Sequence, residues 1–183
     1  MPSGNLRVHG GAEGGRRLLT PRGIRPSQGV LKEAIFNMVG TAVLEVSAID
    51  LFAGSGALGI EALSRGAARV TFVERDAAVA GVLRRNLEAL GYLDRARVSR
   101  AEATRWLEAQ QHGLGEVGLV LLDPPYNDPV LERALVLLDR LCASGTLVVA
   151  EHAPRQALPE LSRLEELRSR RYGDSALAVL RAR

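Results

Sequence analysis

The sequence predicts an α/β fold: a seven-stranded, mostly parallel sheet covered by helices, closed by an antiparallel hairpin at its carboxyl end. Three observations lead there. From residue 48 onward, short runs rich in Val, Ile and Leu alternate with longer stretches whose apolar residues recur at helical spacing. That alternation belongs to parallel strands joined by crossover helices. Two runs, 117–122 and 146–151, are apolar nearly throughout, as in strands buried on both faces. The last two runs, 164–172 and 176–181, are separated only by the turn Gly173-Asp174, so they pair antiparallel.

The elements follow in order. Residues 4–15 are rich in glycine and flanked by short apolar runs at 6–8 and 18–19, which suggests a β-hairpin or a flexible arm. Gly23 and Pro26 punctuate the chain, and Ser27 is placed to cap a helix. Val30, Leu31, Ala34, Ile35, Met38 and Val39 then share one helical face. Beyond them come a strand at 48–52, a helix at 58–64 ended by Gly66, a strand at 69–74 and a helix at 76–90 ended by Gly91. A short strand at 97–99, a helix at 103–111, the strand at 117–122, a helix at 128–142 and the strand at 146–151 complete the alternation. This divides the chain into a basic arm and helix, residues 1–44, and an α/β unit, residues 45–183.

Composition narrows the class. With 183 residues, 46% of them hydrophobic, the chain can build one real core. Its single cysteine, Cys142, excludes an internal disulfide and fits a reducing compartment. No charged-then-apolar leader and no apolar run near ~18 residues occur, so a soluble, cytoplasmic monomer is expected. The three histidines and one cysteine show no metal-ligand spacing. The net charge of +3 is unevenly spread. Residues 1–36 carry Arg7, Arg16, Arg17, Arg22, Arg25 and Lys32 against only Glu13 and Glu33. A basic arm on a near-neutral body suits a polyanion, so these six are candidate contacts to a nucleic-acid backbone.

Two motifs carry chemistry, each directly after a predicted strand, where ligands of parallel sheets bind. In the first, Asp50-Leu-Phe-Ala-Gly54-Ser55-Gly56-Ala-Leu-Gly59 leads from strand to helix. Glycines let the backbone turn tightly beside a ligand, and the helix terminus offers unpaired N–H groups. Glu74 ends the next strand, about 20 residues on, where a carboxylate can accept both ribose hydroxyls. The pattern fits adenosine recognition. A nicotinamide dinucleotide and S-adenosylmethionine both qualify. Asp50 and Phe52 tilt the choice, because an acid beside the glycines suits a ligand bearing an ammonium and a sulfonium better than a pyrophosphate. Arg75 adjoins Glu74, and Glu102-Ala103 after the third strand are placed to meet the adenine.

The second motif is Asp123-Pro124-Pro125-Tyr126. Consecutive prolines hold a stiff loop without backbone donors. An exocyclic amine is a poor nucleophile because its lone pair is delocalised into the ring. Two acceptors on its hydrogens, the Asp123 carboxylate and the Pro124 carbonyl, free that pair, and Tyr126 can stack on the base. Positioning and electrostatics suffice for methyl transfer, without a metal or covalent intermediate.

With these residues together, the chain resembles the bacterial 16S ribosomal RNA guanine-N2-methyltransferases of the RsmD type. The likeness covers nearly the whole chain. It runs through Gly10-Gly11, Gly15-Arg16-Arg17-Leu18, Arg25-Pro26-Ser27 and Lys32-Glu33-Ala34-Ile35-Phe36-Asn37. It continues through Asp50-Leu-Phe-Ala-Gly-Ser-Gly-Ala-Leu-Gly-Ile-Glu-Ala62, Asp123-Pro-Pro-Tyr126, Glu151 and Tyr172-Gly-Asp-Ser175. The resemblance implies a class I, Rossmann-like methyltransferase using S-adenosylmethionine on 16S ribosomal RNA or the small subunit. It further implies that Pro26-Ser27 lie near the methionine end of the cofactor and that the arm holds RNA backbone. The chain departs from the family at Gly29-Val30, where an Asp-Arg pair is usual. Adenine-N6 methyltransferases share the Asp123 loop, so adenine methylation is the alternative. A nicotinamide oxidoreductase leaves that loop unexplained, and a noncatalytic RNA-binding protein has no need to keep it intact.

Overall fold

The computed structural model describes residues 6–20, 29–125 and 128–183. Helix α1 (Gly29–Val39) precedes strand β1 (Ser47–Asp50). Then come α2 (Ala57–Ser64), β2 (Arg69–Val73), α3 (Ala77–Ala89), β3 (Ala96–Ser99) and α4 (Ala103–Glu108). Strand β4 (Val117–Leu122), α5 (Val130–Leu141), β5 (Leu147–His152), β6 (Leu164–Tyr172) and β7 (Ser175–Ala182) complete the chain. One sheet forms in the order β3-β2-β1-β4-β5-β7-β6. The first five strands run parallel, and β7 joins them antiparallel between β5 and β6. The chain winds outward from β1 in one direction and from β4 in the other. The carboxyl ends of β1 and β4 therefore flank the point where strand order reverses, and a cleft opens there.

The apolar strands are buried on both faces, as their sequences require. Leu119 and Leu121 of β4 face a layer formed with α1, α2 and α3, whereas Val120 and Leu122 face a second layer formed with α4 and α5. Leu147 and Val149 alternate with Val148 and Ala150 in the same way on β5. Cys142 lies buried in the second layer. Gly59 lets α2 seat directly on β2: a Cβ there would lie 2.3 Å from the Phe72 ring.

Several boundaries differ from the sequence expectation. The helix expected to reach 111 ends at Glu108. The one expected from 128 begins at Val130, after Pro129, with Asp128 Oδ1 accepting the Val130 amide at 2.9 Å. Two 3-10 turns, Gly40–Val43 and Leu93–Arg95, were not expected. Gly40, at φ 59°, breaks the helical phase after α1.

The arm is hairpin-like and firmly docked. A single antiparallel bridge joins Arg7 to Arg17, flanked by Val8 N–H to Arg16 O at 3.0 Å and Leu18 N–H to Leu6 O at 2.9 Å. Leu6, Val8 and Leu18 are buried in the first core layer. Glu61, wholly buried on α2, accepts the amides of His9 and Gly10, both at 2.7 Å, and Arg65 Nε at 2.9 Å. Buried Asn86 on α3 accepts the Leu19 amide at 2.8 Å and donates to the carbonyls of Leu19 and Ser55. One side chain thus ties the arm to the glycine turn.

One candidate RNA contact is corrected. Lys32 is fully buried, with Nζ donating to the Arg7 carbonyl at 2.6 Å. Burial lowers its pKa, partly countered by the charges of Glu61 and Glu33. Its helical phase explains the placement: Lys32 precedes buried Phe36 by four residues and Val39 by seven, so it belongs to the inward stripe.

Candidate active site

A cleft of about 790 Å³ opens at the carboxyl ends of β1, β2 and β4. β1 ends at Asp50, and the chain turns through Gly54 (φ 53°) and Gly56 (φ 88°) into α2. Gly56, expected at the cofactor, is not among the residues lining the cleft, and a Cβ there would stand 2.3 Å from the Leu83 side chain. The left-handed φ and the lack of room both demand glycine. The Gly54 amide donates to Glu74 Oε2 at 2.9 Å, so the acid at the end of β2 also fixes the turn. Glu74 Oε1 accepts the Asp76 amide at 2.8 Å.

Asp50 is almost wholly buried yet borders the cleft. Its Oδ2 accepts the Gly59 amide at 2.8 Å, while Oδ1 has no partner. Burial pushes its pKa up to about 7; the Gly59 amide opposes this, the charge of Glu74 adds to it, and the Phe52 amide opposes it to a smaller degree. Thr20 Oγ1, also at the cleft, is likewise buried without a partner. Such polar atoms at a cavity wall suit a ligand that brings hydrogen-bond donors.

The structure gathers most of the expected site. Asp50, Phe52, Gly54, Ser55, Glu74, Arg75, Glu102, Ala103, Asp123, Pro124 and Pro125 all line this one cleft. Pro26, Ser27 and Tyr126, and the arm residues Arg22 and Arg25, lie outside the described residues. Arg7 is half-buried with Nη1 on the Gly15 carbonyl at 3.2 Å; Arg16 and Arg17 are exposed, and Arg16 Nη1 contacts Glu13 at 3.1 Å. Glu102 has a local task as well: it caps α4, accepting the Thr104 and Arg105 amides and the Thr104 hydroxyl. Burial pushes its pKa up, but these hydrogen bonds outweigh burial and leave it below the ordinary value.

Asp76, Asp128, Glu151 and Ser175 also line the cleft, although the sequence assigned them no role there. Glu151 is 4% exposed and accepts the Ser175 hydroxyl at 3.0 Å. The register pairs Leu122 of β4 with Ala150 of β5, so Asp123 and Glu151 occupy the next adjacent positions. The apolar run ending in Glu151 held the signal: an acid at the carboxyl end of a buried strand, matching Asp123 on its neighbour. Among the described residues seven acids line the cleft against one arginine, Arg75, a surface suited to a cationic ligand rather than a pyrophosphate. His152 instead borders a separate cavity of about 390 Å³ with Leu161, Leu164 and Leu180. Among the described residues no three His, Cys, Asp or Glu are grouped to hold a metal ion, and no helix is long and apolar enough to cross a membrane.

Comparison with known proteins adds four findings. The model of the family described as conserved hypothetical protein 95 matches residues 6–181. The Escherichia coli (strain K12) ribosomal RNA small subunit methyltransferase D is 37% identical over 161 residues, covering 86% of this chain and 79% of that protein. The solved structure of yhhF from Escherichia coli superposes with a TM-score of 0.87 at 33% identity, covering 98% of each chain. A Salinibacter ruber RNA methyltransferase in complex with S-adenosyl-L-homocysteine shares the fold at 19% identity, with a TM-score of 0.66 over 86% of this chain and 94% of that one.

Proposed function

The chain belongs to the conserved hypothetical protein 95 family, and from that membership we propose that it is an S-adenosylmethionine-dependent methyltransferase of 16S ribosomal RNA acting on the exocyclic N2 of a guanine. The observation that carries this reading is the placing of Asp123, directly after β4, and Glu151, near the end of neighbouring β5, in one acid-lined cleft.

The glycine turn, Asp50 and Glu74 fit the cofactor. The partnerless Asp50 Oδ1 and the seven acids match a ligand carrying an ammonium and a sulfonium. Glu74 keeps lone pairs for the ribose hydroxyls while it holds the turn. Ala103 and the Glu102 cap form the wall for the adenine. Bound here, S-adenosylmethionine supplies an electrophilic methyl group on its sulfonium.

The chain's own residues prepare the nucleophile. Asp123 and the Pro124 carbonyl accept the two hydrogens of the amine, releasing its lone pair toward the methyl. Pro124 is buried and φ-locked, which keeps these acceptors in place. Tyr126 supplies the stacking plate. Guanine differs from adenine next to the reacting amine: its N1 carries a hydrogen, whereas adenine's N1 is an acceptor. Glu151, an acceptor-only group when ionised, suits N1–H and would repel the adenine lone pair. That contrast favours guanine over adenine.

Ribosomal RNA from a strain lacking this protein should lose one N2-methylguanine from its 16S species by mass spectrometry, and purified protein with labelled S-adenosylmethionine should restore it. Loss of N6-methyladenine in its place would install the adenine reading.

Cofactor binding should also depend on pH. Asp50 titrates near 7 because burial disfavours its charge. A bound cation favours the ionised form, so binding releases a proton. Affinity should therefore weaken as the pH falls below about 7, by up to about tenfold per unit. Glu74 and Asp123 face the same cleft, and Asp50→Asn isolates the Asp50 contribution by flattening the profile. Calorimetry between about pH 5.5 and pH 8 checks this; an equal slope in the Asp50→Asn variant would remove Asp50 from the cofactor contact.

A further inference from the structure

The outer strand β6 ends the sheet, and every residue from Glu165 to Arg171 on it is exposed. Its charges are sorted along its length. Glu165 and Glu166 stand at the end remote from the cleft, with Glu165 Oε2 bonded to Arg183 Nε at 3.0 Å. Arg168, Arg170 and Arg171 stand toward the cleft end, where Tyr172 pairs with cleft-lining Ser175.

The register fixes which arginines share a face. Arg168 lies opposite Val179 and Arg170 opposite Leu177. Val179 and Leu177 point into the core layer beneath α1 and the arm, and Tyr172 packs against that same layer. Arg168, Arg170 and Tyr172 therefore form one row on the arm side of the sheet, stepping toward Ser175 and Glu151. Residues two apart on a strand are about 6.8 Å apart, a step that lets neighbouring guanidinium groups meet successive phosphates. Among the described residues, neither Arg168 nor Arg170 has a carboxylate within ion-pair reach.

The docked arm occupies the other end of this face. Arg16 Nη2 donates to the Ala89 carbonyl on α3, which packs over the β2–β3 half of the sheet. Because α3 begins beside the cleft and ends at Ala89, Arg16 stands at the end of this face away from the cleft, whereas Arg168 and Arg170 step toward it.

We propose that the β6 row of Arg168 and Arg170 is a second RNA-backbone surface, which holds the substrate strand on the flank of the cleft opposite the arm. It rests on the ribosomal RNA reading above. Phosphate contacts of this kind set position and affinity, while the cleft reads the base. The rival role for charge on an edge strand is protection against strand pairing between molecules. Any charge serves that end, whereas only positive charge serves RNA.

The test compares the wild-type chain with R168Q/R170Q and R168E/R170E, using naked 16S RNA and small subunits as probes. Both variants should keep wild-type affinity for S-adenosylmethionine. The glutamine pair should bind RNA about tenfold more weakly, with a log–log salt slope shallower by about 1.4, the value for two lost contacts on a single strand. The glutamate pair should bind more weakly still while remaining monomeric. Wild-type RNA affinity and slope in the glutamate pair, with self-association of the glutamine pair, would overturn the proposal in favour of edge protection. If wild-type protein methylates neither probe, the parent reading falls and takes this one with it; if it methylates them and the variants match it, only this one falls.

Discussion

Asp123→Ala should slow methyl transfer by about 10²–10³-fold, the usual cost of losing one preorganised hydrogen-bonding group at a reacting centre. Affinity for S-adenosylmethionine should stay near wild type. The expectation rests on division of labour within the cleft. Asp50, the glycine turn and Glu74 sit at the ends of β1 and β2, whereas Asp123 stands at the end of β4 beside Glu151 on β5. Glu151→Gln should cost less, about 5–100-fold, by setting an amide against guanine N1–H. Its loss should appear with RNA substrate and not in cofactor binding. Labelled transfer assays with calorimetry on the same preparations separate these outcomes. Joint loss of transfer and cofactor affinity in Asp123→Ala would make Asp123 a cofactor or folding residue.

The second large effect concerns stability. Glu61→Ala should destabilise the fold by about 3–5 kcal/mol, the range for removing one partner of a buried charged network. For a chain of this size that corresponds to a fall of roughly 6–20 °C in melting temperature. Glu61 is inaccessible to solvent and holds two arm amides and Arg65 Nε, with Lys32 nearby. Its removal strips the arm of its anchor and leaves the buried Lys32 ammonium without that countercharge. Thermal unfolding followed by circular dichroism measures it. A shift under about 2 °C would mean that Leu6, Val8 and Leu18 with the Asn86 and Lys32 hydrogen bonds hold the arm without Glu61.

Both effects bear on what the sequence made legible. The sheet, its buried strands and the closing hairpin followed from periodicity, because a two-face apolar run and a 3.6-residue stripe have few alternative homes. The glycine turn and Asp123 were legible because their residue types are costly elsewhere. Facing was harder to read. Lys32 was counted with the arm by its sign, although its spacing from Phe36 and Val39 put it on the inward stripe. Glu61, inside the apolar run Ala57–Ser64, carried the matching hint: an acid there needs a buried partner, and the partner lay 51 residues away in the arm. Glu151 was missed as a cleft residue because adjacency to Asp123 depends on β5 pairing with β4, a register no local pattern encodes. Glu102 shows local chemistry overlapping with the site, since its carboxylate caps α4 at the cleft wall.

The burial of Lys32 has a practical side. It is the only lysine of the chain, so apart from histidine every basic side chain on the described surface is a guanidinium. Acylating reagents and lysine acetylation have no side-chain amine to reach in the folded protein. Neutralising the arginine charge of the surface therefore requires chemistry directed at guanidinium groups. The ε-amine of Lys32 becomes a reporter in its own right: its labelling by an amine-reactive dye counts the molecules that have opened.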